Sequence, residues 1–274
     1  MNIVVIGAEK TSTTYLQRFF KNNHDAILAD VGIDYVFAQG LAKELVECSR
    51  TGATSTLLRD FEADADRLLI SEFFYRDLGS EERITNLRKN LDPKLEDAKI
   101  VLYVRDQVSW LESFYSTSLR VGGTDRFQEF VERMLIRNRT LNYFDNVNLW
   151  QSVFGERLKV FEYRGQNLVP ELFALFGKTA ELDRYEAPAT VNSALVTVKQ
   201  DLVREVNVAA RSFEGTEPIP TFRKRIVRII EDADIPGSKL RADDALRARI
   251  IAHYGEQNKR LNAQWGTQLS EGDD

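Results

Sequence analysis

Cysteine and histidine are almost missing from this chain of 274 residues: Cys48 stands alone, and His24 and His253 are the two histidines. A single thiol excludes an internal disulfide. Two distant histidines with one cysteine argue against a zinc site, which needs three or four such ligands. Long apolar runs are missing too, none approaching the roughly 20 residues that a membrane span requires. The amino terminus has no basic n-region and no cleavage site, and it enters a core-like strand at once, so the chain reads as cytoplasmic. There is no internal repeat and no low-complexity tract. Nor do basic residues prevail: 37 Lys and Arg against 42 Asp and Glu leave a net charge of −5. That balance argues against general binding to nucleic acid or an anionic membrane, so basic groups that serve phosphate must be local.

What is present is ample core material, 43% apolar residues, in a chain whose length suits one large α/β domain or a domain with a helical appendage. We read residues 1–274 as a single domain, 1–192 an α/β core and 193–274 a helical cap. Short β-branched runs at residues 3–7, 67–71, 99–104 and 157–162 alternate with helical patterns near 13–22, 55–65, 80–91, 107–120, 126–136, 141–154 and 167–177. Such alternation predicts an α/β three-layer sandwich with a central parallel sheet of about four or five strands between helices. From about residue 193 the pattern turns helical and charged, with breaks at 215–220 and 235–239. In parallel sheets ligands bind outside the carboxyl ends of the strands, where Gly7 to Thr14, Ser71 to Glu72 and Arg105 fall.

The most informative stretch is residues 3–17, IVVIGAEKTSTTYLQ. A β-branched run ends in Gly7-Ala8-Glu9-Lys10, and the hydroxyls of Thr11, Ser12, Thr13 and Thr14 open a helix. The first N–H groups of a helix lack intrahelical partners and carry partial positive charge, so this turn is suited to an oxyanion. It is not an ordinary ATP-type loop, because Glu9 stands where a second glycine must precede the lysine, and two residues rather than five separate Gly7 from Lys10. Read by itself, the segment also fits a buried strand followed by a Ser/Thr-capped helix, as the lesser alternative. A second segment, KIVLYVRDQVSWLESFYSTSL at residues 99–119, repeats the plan: an apolar strand, Arg105 at its carboxyl end, then a helix on which Ser113 comes round about two turns later. Arg105 and Ser113 are thereby candidates to share one anion, against a plain surface salt bridge for the arginine.

With these two motifs in this order, the chain resembles the sulfotransferases that use 3′-phosphoadenosine 5′-phosphosulfate (PAPS). Lys10-Thr11-Ser12-Thr13-Thr14 is similar to the family's 5′-phosphosulfate loop, usually Lys-[Ser/Thr]-Gly-Thr-Thr, and Arg105 with Ser113 to its 3′-phosphate pair. Residues 70–72, 142–164, 191–195 and 256–265 are similar to bacterial members whose acceptors are often carbohydrates. The resemblance implies a P-loop-NTPase-like fold, PAPS as sulfuryl donor, PAP as product and no metal requirement. It implies a hydroxyl on a carbohydrate, glycolipid or other small metabolite as acceptor. The departure is Ser12 where the family usually has glycine; if that position takes a positive φ, a Cβ is costly there.

Under that resemblance Lys10 stabilises the departing phosphate oxygen, so its loss should harm turnover more than nucleotide binding. Thr11, Ser12, Thr13 and Thr14 hold the 5′ end, and Arg105 and Ser113 select the 3′-phosphate. Glu72, directly after the LLIS run, is the candidate base; its alternatives are capping the next helix or pairing with Arg76. His24 is a rival base that reads better as a surface residue, and His253 reads as a helix-face residue. Arg223, Lys224, Arg225 and Arg228 form either a lid over nucleotide or a solvated face. Trp110, Trp150 and Tyr103 read as core rather than stacking platforms. Asn192, Ser193 and Asn258 enter through resemblance alone. Two further readings stay open: a nucleotide or small-molecule kinase, weakened by the missing glycine and by the lack of a clear Mg²⁺-binding aspartate, and a non-catalytic nucleotide-binding relative.

Overall fold

The structure, a computed structural model, describes residues 1–37, 40–57, 65–165, 168–179, 181–188, 194–213 and 219–272. Its elements in chain order are β1 Asn2–Gly7, α1 Thr13–Asn22, α2 His24–Val31, β2 Ile33–Tyr35, α3 Leu41–Thr51, β3 Asp66–Ile70, α4 Phe73–Asp77, α5 Glu81–Leu95 and β4 Lys99–Val104. They continue with α6 Gln107–Arg120, α7 Phe127–Arg137, α8 Tyr143–Phe154, β5 Leu158–Glu162, α9 Leu168–Leu175, α10 Thr197–Arg211, α11 Ile219–Asp232 and α12 Asp244–Trp265. Among the described residues no helix is long and apolar enough to cross a membrane.

The strands form one sheet in the order β2-β3-β1-β4-β5, every pair parallel. The four β-branched runs read from the sequence are β1, β3, β4 and β5; β2 is a three-residue edge strand whose run is too short to stand out. A parallel sheet covered on both faces needs apolar residues on both sides of each strand, and β1 supplies them. Ile3 and Val5 face a cluster with Leu16, Phe19 and Phe20 of α1 and Leu172 and Phe173 of α9, while Val4 and Ile6 are fully buried. The expected helices from 13, 80, 107, 126, 141 and 167 are α1, α5, α6, α7, α8 and α9. The helical pattern at 55–65 falls largely on residues 58–64, outside the described residues; α2, α3 and α4 were not anticipated. Tyr103, Trp110 and Trp150 are core residues, 0%, 2% and 1% exposed.

The chain divides into two compact units that interleave in sequence. The first comprises Met1–Arg105, Asn142–Val191 and Gln257–Leu269, and holds the sheet; the second comprises Asp106–Leu141, Asn192–Glu256 and Ser270–Asp274. Within the second, buried polar groups fasten the helices. Ser116 Oγ accepts from the Leu195 amide and from Gln200 Nε2 at 3.1 and 2.9 Å. Glu112 accepts from Arg241 and the Ala242 amide at 2.6 and 2.9 Å.

Candidate functional site

Because all five strands run the same way, β1, β3, β4 and β5 end on one edge of the sheet, and the residues just beyond them meet there. Gly7 closes β1 at φ 122°, and a Cβ there would lie 3.3 Å from both Glu72 Cα and Tyr75 Cβ. Glycine is thus required for conformation and for closeness to the segment after β3. The Ala8 amide then donates to the carbonyl oxygen of Tyr103 in β4 at 2.7 Å, which ties the loop across the sheet.

Lys10 and Ser12 both adopt left-handed backbone, φ 64° and φ 62°, with Thr11 between them outside that region. Alternation of hand turns successive amide groups toward one side, the geometry of an anion-binding concavity. Ser12 takes the N-cap position of α1 without capping it through its side chain. Ser12 thus takes a positive φ, where a Cβ is costly. Thr11 is fully buried, its hydroxyl donating to the Ala8 carbonyl oxygen at 2.6 Å. Thr13 is buried and Thr14 half-buried in the first turn of α1. Gln17, farther along the helix, donates to the Ile70 carbonyl oxygen at 3.1 Å and so holds α1 against the end of β3.

Arg105, one residue past β4, donates from Nη1 to the Lys10 carbonyl oxygen at 2.7 Å. Its guanidinium carbon stands 5.3 Å from the ring centre of Tyr163, and the Tyr163 hydroxyl lies 2.7 Å from Ser12 Oγ. Tyr163 thus joins the candidate site through Ser12 and Arg105. It stands directly after β5, where its amide donates to the Val104 carbonyl oxygen at 2.7 Å. Ser113 lies on α6 in the second unit, half-buried.

Glu72 is the N-cap residue of α4, yet its side chain caps nothing. The Phe73 amide is met instead by Ser71 Oγ at 3.3 Å. Nor does Glu72 pair with Arg76, which donates to Asp77 at 2.9 Å and to Glu9 at 3.4 Å. Both structural alternatives for Glu72 are thereby taken by other residues, and among the described residues its Oε2 is buried without a hydrogen-bond partner. Such an atom has lost its water without compensation. Burial raises the pKa of neighbouring Glu9 against the opposing pull of Arg76, with the Glu72 charge adding to the rise. Tyr35 at the end of β2 is likewise raised, by burial first and then by Glu72.

The remaining candidates lie elsewhere. His24 opens α2 and bridges Asp34 and Asp25 at 3.0 Å each; His253 is exposed on α12. Arg223 is held by Asn207 at 2.9 Å, while Lys224, Arg225 and Arg228 are exposed. Asn258 is buried in α12, and Asn192 and Ser193 lie outside the described residues.

No family model matches the sequence, and no curated protein matches it. Among solved structures, the chain is similar to the crystal structure of a sulfotransferase from Alicyclobacillus acidocaldarius, at 16% identity and a TM-score of 0.48, over 98% of this chain and 97% of that one.

Proposed function

We propose that this chain is a PAPS-dependent sulfotransferase acting on a hydroxyl of a carbohydrate, glycolipid or other small metabolite. The observation that carries the reading is the 2.7 Å bond from Arg105 to the Lys10 carbonyl oxygen. It joins, across 95 residues of sequence, the two motifs that resemble the family's 5′- and 3′-phosphate sites, and Glu72 stands against the same loop at Gly7.

The donor supplies a sulfuryl group on a phosphate leaving group. The loop amides around Lys10 and Ser12, with the hydroxyls of Thr13 and Thr14, bind the 5′ end. The Arg105 guanidinium, seated on the Tyr163 ring, and Ser113 select the 3′-phosphate that separates PAPS from ATP. Lys10 neutralises charge that grows on the bridging phosphate oxygen as the sulfur–oxygen bond breaks. Glu72 Oε2, with no protein donor to satisfy it, takes the proton of the acceptor hydroxyl as that oxygen bonds to sulfur.

Calorimetric titration with adenosine 3′,5′-bisphosphate, AMP and ATP with Mg²⁺, on the wild type and on Arg105→Ala, tests the reading without knowledge of the acceptor. Binding of the bisphosphate alone, lost in the variant, is the expected result. Preference for ATP would move the chain to the kinases, and absence of binding would leave a non-catalytic relative.

A further inference from the structure

In the second unit, α10 and α11 pack against each other and expose an apolar face. Their polar anchors point one way, toward the carboxyl end of α6. Asn207 donates to the carbonyl oxygens of Leu119 and Gly123, both at 2.7 Å, Arg223 donates to Arg120 O at 3.3 Å, and Glu231 pairs with Arg120. On the opposite side, Val198, Leu202 and Phe213 are 47%, 42% and 57% exposed, and Phe222 and Ile229 62% and 63%. At about 100° per residue, positions 198 and 202 on α10 lie about 40° apart, and 222 and 229 on α11 within about 20°, while Phe213 lies just past the end of α10. Single exposed apolar residues are ordinary; four on one side of a helix pair, with Phe213 at its end, mark a surface that something covers.

The rims say what. On the flank of the α10 stripe away from α11 stand Asp201 and Glu205; on the flank of the α11 stripe away from α10 stand Arg225 and Arg228, all four exposed. Glu205 also pairs with Arg204, and Arg228 with Asp232 at 3.7 Å, but the latter side chains are 83% and 75% exposed, so that pair is weak and exchangeable. An anionic lipid surface would meet the acidic rim as well as the basic one, on a chain of net charge −5. A second copy meets both rims with the opposite sign. A two-fold axis along the hairpin lays α10 of one copy over α11 of the other, acidic rim on basic rim, with the apolar stripes between. We infer that this face is the contact of an isologous dimer of the chain.

Sedimentation velocity of the full chain over a concentration series is expected to show a monomer–dimer equilibrium. Phe222→Glu and Ile229→Glu should each weaken association about tenfold or more, with circular dichroism unchanged. Glu205→Arg and Arg225→Glu should each weaken it as well, and the two combined in one chain should restore it, because the cross-copy pairing is rebuilt with reversed sign. These charge reversals alter exposed side chains only, so they keep the test sharp if Phe222→Glu lowers stability. A wild type that stays monomeric overturns the proposal. So does a dimer that survives Phe222→Glu with Ile229→Glu, or a charge-swapped pair weaker than either single variant. Co-sedimentation of a monomeric wild type with phosphatidylserine vesicles would assign the face to a membrane and overturn it equally.

Discussion

The hydroxyl of Ser12 lies 2.7 Å from the phenol oxygen of Tyr163, joining the loop after β1 to the residue after β5, two strands away in the sheet. That bond compensates a backbone that glycine would adopt more easily, since Ser12 sits at φ 62° and ψ 24°.

Ser12→Ala should therefore keep the left-handed strain and lose the bond, at a cost of about 1 kcal/mol. Ser12→Gly loses the same bond but sheds about 1 kcal/mol of left-handed cost, leaving stability close to wild type. Tyr163→Phe should match Ser12→Ala, and the double variant should cost no more than either. Urea unfolding midpoints report the order; a Ser12→Ala protein as stable as wild type would show that the bond contributes nothing.

Arg105 acts through shape as well as charge, since it reaches the Lys10 carbonyl oxygen and stacks over Tyr163. Arg105→Lys keeps the charge and gives up the fork and the stacking. Affinity for adenosine 3′,5′-bisphosphate should fall about tenfold or more in calorimetric titration. An unchanged affinity would show that Arg105 does not read the 3′-phosphate.

For Glu72, the buried unpartnered Oε2 makes Glu72→Gln a discriminating change. Turnover of an acceptor should fall about 10²- to 10⁴-fold, with bisphosphate affinity kept and thermal stability equal or higher. Loss of stability without loss of turnover would return Glu72 to a structural role.

Gly7→Ala places a Cβ 3.3 Å from the backbone of Glu72 at φ 122°. It should destabilise the fold by about 1–3 kcal/mol, read from denaturant unfolding, and a neutral result would mean that the loop yields at no cost.

Glu9 sets a pH dependence. Burial raises its folded pKa above its unfolded value, so the native state holds the proton more tightly and stability declines with rising pH. That contribution is complete below the ordinary glutamate value of about 4.3 and is lost as pH climbs through the raised one. Glu9→Gln should flatten the curve, its advantage in melting temperature growing with pH, while Arg76 keeps Asp77. Parallel curves for the two proteins would show that Glu9 is not responsible.

Four strands and the boundaries of α1 and α6 were readable in the sequence because period and β-branched content are local properties, carried by the residues themselves. The meeting of residues 7–14, 71–72 and 105 on one edge followed as well, since parallel strands share a direction. The edge strand β2 was not readable: three residues hold too little pattern to rise above their neighbours. Neither was the interleaving of the two units, which depends on which helices find one another.

Within the site, the sequence determined which groups are available: Lys10 and its hydroxyls, Glu72, Arg105. The tertiary structure decided how they are used. By sequence Arg76 has Glu72 and Asp77 within reach; the tertiary structure joined it to Asp77 and to the distant Glu9 and left Glu72 Oε2 without a partner among the described residues. Local chemistry fixes what a residue is able to do, whereas partner choice is a competition among residues far apart in the chain, and packing alone resolves it.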